Sequence, residues 1–232
     1  MKIAAMVFTL FFCFLMPIGV MAWFMAREKG NFKWIFAGGG CFVLAEVLMR
    51  LPALTFLSAK SDLSANHPLA SLFLSAFLSA VLMEGIRWLL EWAMLRREPD
   101  SMAADGFAFG IAGFEALFST GVAVFFMILI DPANMNAGNM FWGSLERIGY
   151  MGLQIMWSML IFEAVQKHQK GKILFCFISH FAISLLALLM SNYFMMPVWV
   201  PAPLILFAGA CGFCLVWPKI RQPFDEEKAC GY

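Results

Sequence analysis

Charged and amide side chains interrupt the apolar stretches of this chain at a few positions: Glu46 and Arg50, then Glu84, Arg87 and Glu91, then Glu115, Glu146, Arg147, Gln154 and His180. Carboxylates and imidazoles are the groups that move protons, activate water or hold a metal ion. Charge in hydrocarbon is expensive, so such residues turn toward a bundle interior and mark a functional site by default. Spacing also offers a plainer role. Glu84 and Arg87 stand at i, i+3 and Glu46 and Arg50 at i, i+4, so each pair shares a helix face and can form an ion pair. Glu91, four residues after Arg87, continues the same stripe. A buried pair of this kind can serve only to fix helix packing. His180 reads either as a hydrogen-bonded packing residue or as a ligand or general base.

The elements that carry these residues are seven long apolar runs. Of the 232 residues, 62% are hydrophobic and 13% charged, against about 45–50% and about 25% in soluble domains. A helix needs about 20 apolar residues to span a bilayer. Spans are expected at 3–26, 34–57, 69–95, 103–130, 140–166, 173–192 and 197–217. Short connections and the absence of repeats give one integral membrane domain over 1–232, an all-α bundle. The first run is too long for a signal-peptide core and has no small-x-small cleavage site before Arg27, so it is expected to remain as a helix. A net charge of +1 excludes nucleic acid as a partner, since no basic surface is there to neutralise phosphates. The six cysteines lack metal-ligand spacing. Cys211 and Cys214 form a C-x-x-C inside an apolar run and are expected to be small packing residues.

Basic residues orient the bundle. One side collects Arg27, Lys29, Lys33, Arg96, Arg97, Lys167, Lys170, Lys172, Lys219, Arg221 and Lys228; the other has Lys2 and Lys60. Eleven against two places the amino terminus outside and the carboxyl terminus in the cytosol. At about 1.5 Å of rise per residue, Glu46, Glu115 and Gln154 lie about 18 Å from the cytosolic ends of their spans, Glu84 about 16 Å, Arg87 about 12 Å and His180 about 10 Å. These form one layer between mid-membrane and the cytosolic side. Glu146 and Arg147 lie near the outer end of the fifth span, level with Arg50. The run Gly106-Phe-Ala-Phe-Gly110-Ile-Ala-Gly113 lets helix backbones approach closely, and close packing there aims Glu115 at a neighbouring helix.

The order of Arg50-Leu51-Pro52, Glu84-x-x-Arg87, Gly110-x-x-Gly113-x-Glu115-Ala116, Glu146-Arg147 and His180 resembles the YhfC-type family of intramembrane proteases, relatives of the CAAX-prenyl endopeptidase and PrsW-type proteins. The resemblance spans roughly residues 34–190. It implies a multi-helix bundle in a bacterial inner membrane, with an embedded active site of metallo or glutamic type. It implies catalytic roles for Glu84, Glu115 and His180, and supporting or binding roles for Arg87, Gln154, Glu146 and Arg147. Three positions depart from the family pattern: Met83 stands for a glutamate, Ile111 for a histidine and Gln154 for a histidine. A catalytic zinc needs about three N, S or O ligands and an open position. Zinc is therefore possible but not expected, and no other cofactor is implied.

Three functions fit. One is an endopeptidase in which Glu84, Glu115 and His180 activate water. Another is a degenerate, non-catalytic relative that binds membrane lipid or a membrane-protein partner. The third is a proton or transport pathway, which lacks the paired broken helices and internal repeats of many transporters. The loss of three polar positions favours the second.

Overall fold

The computed structural model describes residues 2–27, 32–60, 66–95, 101–131 and 135–229. Seven of its helices are long and apolar enough to cross a membrane: α1 Lys2–Ala26, α2 Phe32–Ser58, α3 Pro68–Met94, α4 Met102–Ile130, α5 Ala137–Gln166, α6 Lys170–Tyr193 and α7 Pro201–Pro218. The described elements are all helical. The chain is thus an all-α, multi-pass integral membrane protein. Lys29, Arg96 and Arg97, three of the bases that orient the bundle, lie outside the described residues.

Local chemistry sets the helix ends. α5 begins at Ala137, three residues earlier than hydropathy suggests, because the Asn136 side chain accepts from the Gly138 and Asn139 amides. An asparagine in that position satisfies amides that have no partner within the helix. α7 begins at Pro201, four residues later than expected. Proline suits the first helical position, where its missing N–H is not needed. The α7 helix continues past its apolar part to Ala229.

α5 is the central helix. About 67% of its span is buried, against 11–33% for the other six. Glycines bring its neighbours to backbone contact. Gly149 and Gly152 of α5 meet Gly209 of α7, leaving no room for a side chain at any of the three. α2 and α4 touch in the same way, through Gly38 against the Phe107 carbonyl and Gly110 against the Ile35 carbonyl. Gly106 and Gly113 of α4 instead receive Phe24, Met21 and Pro17 of α1. In a membrane, where burial of apolar surface gives little drive between helices, such close approach is what holds them together.

The contact of α2 with α4 covers only half their length. Phe32–Phe42 packs along Ser101–Ala116, and beyond those points the helices part. Val43–Arg50 leans on α3, while Leu117–Gly121 leans on α1, with Gly121 against the Cys13 carbonyl. Both diverging segments are π-helical, as are Phe11–Leu15 and Leu189–Tyr193. π-helical turns inside α-helices often accompany functional sites. The five described cysteines are free, with Cys13, Cys41 and Cys176 buried. Cys211 and Cys214 do not pack inside as expected: they lie exposed on the outward face of α7, because Gly209 and Gly212 occupy the face turned to α5.

Candidate functional site

Where α2 and α4 separate, the bundle encloses a polar cavity of about 420 Å³. Its walls come from α2 (Glu46, Arg50), α3 (Ser79), α4 (Glu115, Ser119), α5 (Glu146, Arg147, Tyr150, Gln154) and α6 (His180, Ser184, Ser191). Val198 and Pro201, at the α6–α7 connection, lie at its rim. The cavity therefore lies in the half of the bundle that carries few basic residues. The depth count from the other end places Glu46, Glu115 and Gln154 near mid-membrane. Three of the four π-helical segments contribute to the wall, through Glu46 and Arg50, Ser119, and Ser191.

The upper wall is a ring of ion pairs. On α2, Arg50 Nη1 bonds Glu46 Oε2 at 2.6 Å. Arg50 Nη2 also donates to Ser75 Oγ at 2.9 Å, and Ser79 Oγ donates to Glu46 Oε1 at 2.7 Å. The pair thus fastens α2 to α3, the packing role that its i, i+4 spacing allows, and still faces the cavity. Across the ring, Arg147 stands 3.4 Å from Glu115 Oε1 and 3.7 Å from Glu146 Oε1, and lies over the Tyr150 ring at 4.9 Å. Glu115 Oε2 is buried without a hydrogen-bond partner.

Beneath the ring is a second, sealed cluster. Arg87 Nη1 donates to both oxygens of Glu84, at 3.0 and 2.8 Å. Arg87 Nη2 donates to the Gln154 carbonyl oxygen. His180 Nδ1 lies 2.6 Å from Glu84 Oε1. An ionised carboxylate only accepts, so the imidazole donates from Nδ1 and its Nε2 remains an acceptor when the ring is neutral. The indole of Trp157 stacks on His180 with a 4.4 Å centroid separation, and Arg87 lies 5.9 Å from the same indole. Trp157 is held in turn by its N–H to Ser179 Oγ at 2.9 Å. Glu84 is 3% exposed and Arg87 0%, and neither reaches the cavity wall. Glu91, one turn further along α3, is 1% exposed, and one of its oxygens has no partner.

No family model, curated protein or solved structure matches the chain. Its site has to be judged from its own side chains.

Four of the candidate residues, Glu84, Arg87, Gln154 and His180, form one hydrogen-bonded cluster. Glu115 pairs with Arg147 in the upper ring and also has the Gln154 side chain and His180 beside it. Gln154 and His180 touch both levels, since they bond the lower cluster and line the cavity. Met83 and Ile111, which stand where the resemblance calls for a glutamate and a histidine, are 1% and 0% exposed in the apolar core. Among the described residues, no three His, Cys, Asp or Glu side chains converge in a way that could hold a metal ion. The donors around His180 do not make a catalytic zinc set: one imidazole, the neutral Gln154 amide, Glu84 bonded by both arginine and histidine, and Glu115 paired with Arg147. Sequence reasoning missed Trp157, Tyr150 and the serines Ser75, Ser79, Ser119, Ser184 and Ser191. Trp157 shows a weak signal, lying three residues after Gln154 and therefore on the same helix face.

Proposed function

We propose that the cavity binds an amphipathic membrane ligand, and that the chain is a YhfC-type relative in which binding has outlived hydrolysis. The observation that carries this reading is the state of Glu84. The carboxylate best placed by resemblance to act as a base is bonded twice by Arg87 and once by His180, and it lies below the cavity floor. A general base must be within hydrogen-bond reach of the proton it removes, directly or through one water. Glu84 has no free oxygen facing the cavity with which to do so. The cavity itself has the size of a ligand site, typically about 300–1,000 Å³, and its walls combine ion pairs with hydroxyl groups. In the orientation set by the basic residues, it faces the non-cytosolic side of the membrane, and its ligand is a lipid of that leaflet.

Hydrolysis is the second reading, and one observation favours it. Glu115 and His180 line the same cavity, and Glu115 keeps one oxygen without a partner. A water between them would have a carboxylate and an imidazole nitrogen within reach. The two readings separate in a reconstituted assay. Purified protein in liposomes is offered peptides that carry a transmembrane segment, and its zinc content is measured alongside. Binding without chemistry predicts no cleavage and no stoichiometric zinc. Cleavage abolished by Glu115→Ala or His180→Ala, or zinc that survives purification at one per chain, would restore the endopeptidase reading.

A further inference from the structure

Two of the helices that wall the cavity part along its length. Beyond Phe42 and Ala116, α2 leans on α3 and α4 leans on α1, so the outer halves of α2 and α4 do not pack closely on each other. Charged and polar groups flank the parting. Glu46 and Arg50 stand on the α2 side, and Glu115 and Ser119 on the α4 side. Leu48 and Phe118 on the same segments are exposed, as lipid-facing residues are. A soluble ligand does not need such a parting. A molecule with a polar head and hydrocarbon tails does, because its head can enter the cavity while its tails stay in lipid.

Charge identifies the head. Three carboxylates of the wall, Glu46, Glu115 and Glu146, face two guanidiniums, Arg50 and Arg147. The Glu46–Arg50 pair is tight at 2.6 Å and is held further by Ser75 and Ser79. Arg147 is shared between Glu115 and Glu146 at 3.4 and 3.7 Å, longer than a close ion pair. Glu115 and Glu146 therefore share one guanidinium, and Glu115, with the Gln154 side chain also beside it, keeps one buried oxygen, Oε2, unbonded. Depth gives the order of groups. Arg50 lies about 12 Å and Arg147 about 15 Å from the basic-poor ends of their helices, and Glu115 about 22 Å. The guanidiniums therefore lie level with the parted halves of α2 and α4, and the carboxylate lies deeper, so a head that enters sideways meets the guanidiniums first.

We propose that the cavity takes the amine-bearing headgroup of a phospholipid, admitted sideways between α2 and α4, with its phosphate at Arg50 and Arg147 and its ammonium at Glu115. This rests on the ligand-binding reading above and names the ligand. The ammonium is chemistry shared with free amines, and the parting of α2 and α4 assigns it to a lipid.

The test uses the purified full chain, delipidated in detergent and supplied with phosphatidylethanolamine and phosphatidylglycerol of identical acyl chains. Native mass spectrometry reads which lipid is retained. Retention of phosphatidylethanolamine about tenfold above phosphatidylglycerol is expected, the effect of one charge-assisted contact. Glu115→Gln removes the preference, while an unchanged gel-filtration profile shows that the variant is folded. Glycerophosphoethanolamine, the same head without tails, competes at least about tenfold more weakly than the lipid. Equal retention of both lipids, a preference that survives Glu115→Gln, or full competition by the tailless head overturns the proposal. Ser184→Trp, which fills the cavity, separates this from the broader reading. If Ser184→Trp leaves lipid retention intact, the cavity is not the binding site and both readings fall. If it abolishes retention while headgroup preference is absent, only the headgroup assignment falls.

Discussion

At the scale of single residues, Arg87 has the largest consequence. It is fully buried and holds Glu84 with two hydrogen bonds and Gln154 with a third. Its removal leaves Glu84 charged and uncompensated in a dry interior, a loss of about 3–5 kcal/mol for a buried pair. Arg87→Met is therefore expected to lower the thermal unfolding midpoint sharply. Arg87→Met combined with Glu84→Met, which removes both charges, is expected to recover much of the loss. A double variant no more stable than the single one would show that the pair does not act as a unit. Part of this cluster is legible from spacing. Glu84-x-x-Arg87 announces an ion pair on one helix face, and His180 and Gln154 lie at comparable depth. Trp157 is not legible in the same way. An indole in an apolar run is ordinary, and only the fold shows it stacked on His180. Depth also brings Glu115 to the level of Gln154 and His180, but its pairing with Arg147 is not legible, because depth leaves the direction around a helix undetermined.

At the scale of elements, glycine placement decides which helices touch and where they separate. Gly110 has the Ile35 carbonyl where a side chain would begin, whereas Gly40 has nothing within 4 Å. Gly110→Ala must push α4 off α2, and overpacking of this kind costs about 1–3 kcal/mol. Gly40→Ala meets no obstacle and is expected to be neutral or to stabilise by about 0.5–1 kcal/mol, since alanine loses less freedom in a helix than glycine. Equal effects of the two in a thermal unfolding assay would contradict the packing of α2 on α4. The glycine run of α4 marks close approach in the sequence without naming the partner. Gly106 and Gly113 turn out to serve α1, and Gly110 serves α2. The parting of α2 and α4 past Phe42 and Ala116 had no sequence signal, because it depends on which neighbour each half prefers. The seven spans were legible, since one physical quantity, hydropathy over about 20 residues, determines them.

At the scale of the whole molecule, the question is which aqueous phase the cavity meets. Lys33, Lys167, Lys170 and Lys172 stand at one end of the described helices, and the cavity lies in the other half. Cytoplasmic loops carry the excess of lysine and arginine, so the cavity should face away from the cytosol. Ser119 and Ser184 line the cavity on two different helices, and each accepts a cysteine of nearly the same volume. In a background where Cys211, Cys214 and Cys230 are replaced by alanine, a membrane-impermeant thiol reagent added to intact cells should label Ser119→Cys and Ser184→Cys. The buried Cys13, Cys41 and Cys176 should stay unlabelled in both. Lys170→Cys, at the basic end, should react only after the membrane is opened. The reverse pattern would invert the orientation and place the cavity on the cytosolic side. Labelling of Lys170→Cys and Ser184→Cys from the same side would contradict access to the cavity from the end of α6 opposite Lys170. Protection of Ser119→Cys by phosphatidylethanolamine but not by phosphatidylglycerol would join the two scales, since the same lipid that fills the cavity would then sit between the parted halves of α2 and α4.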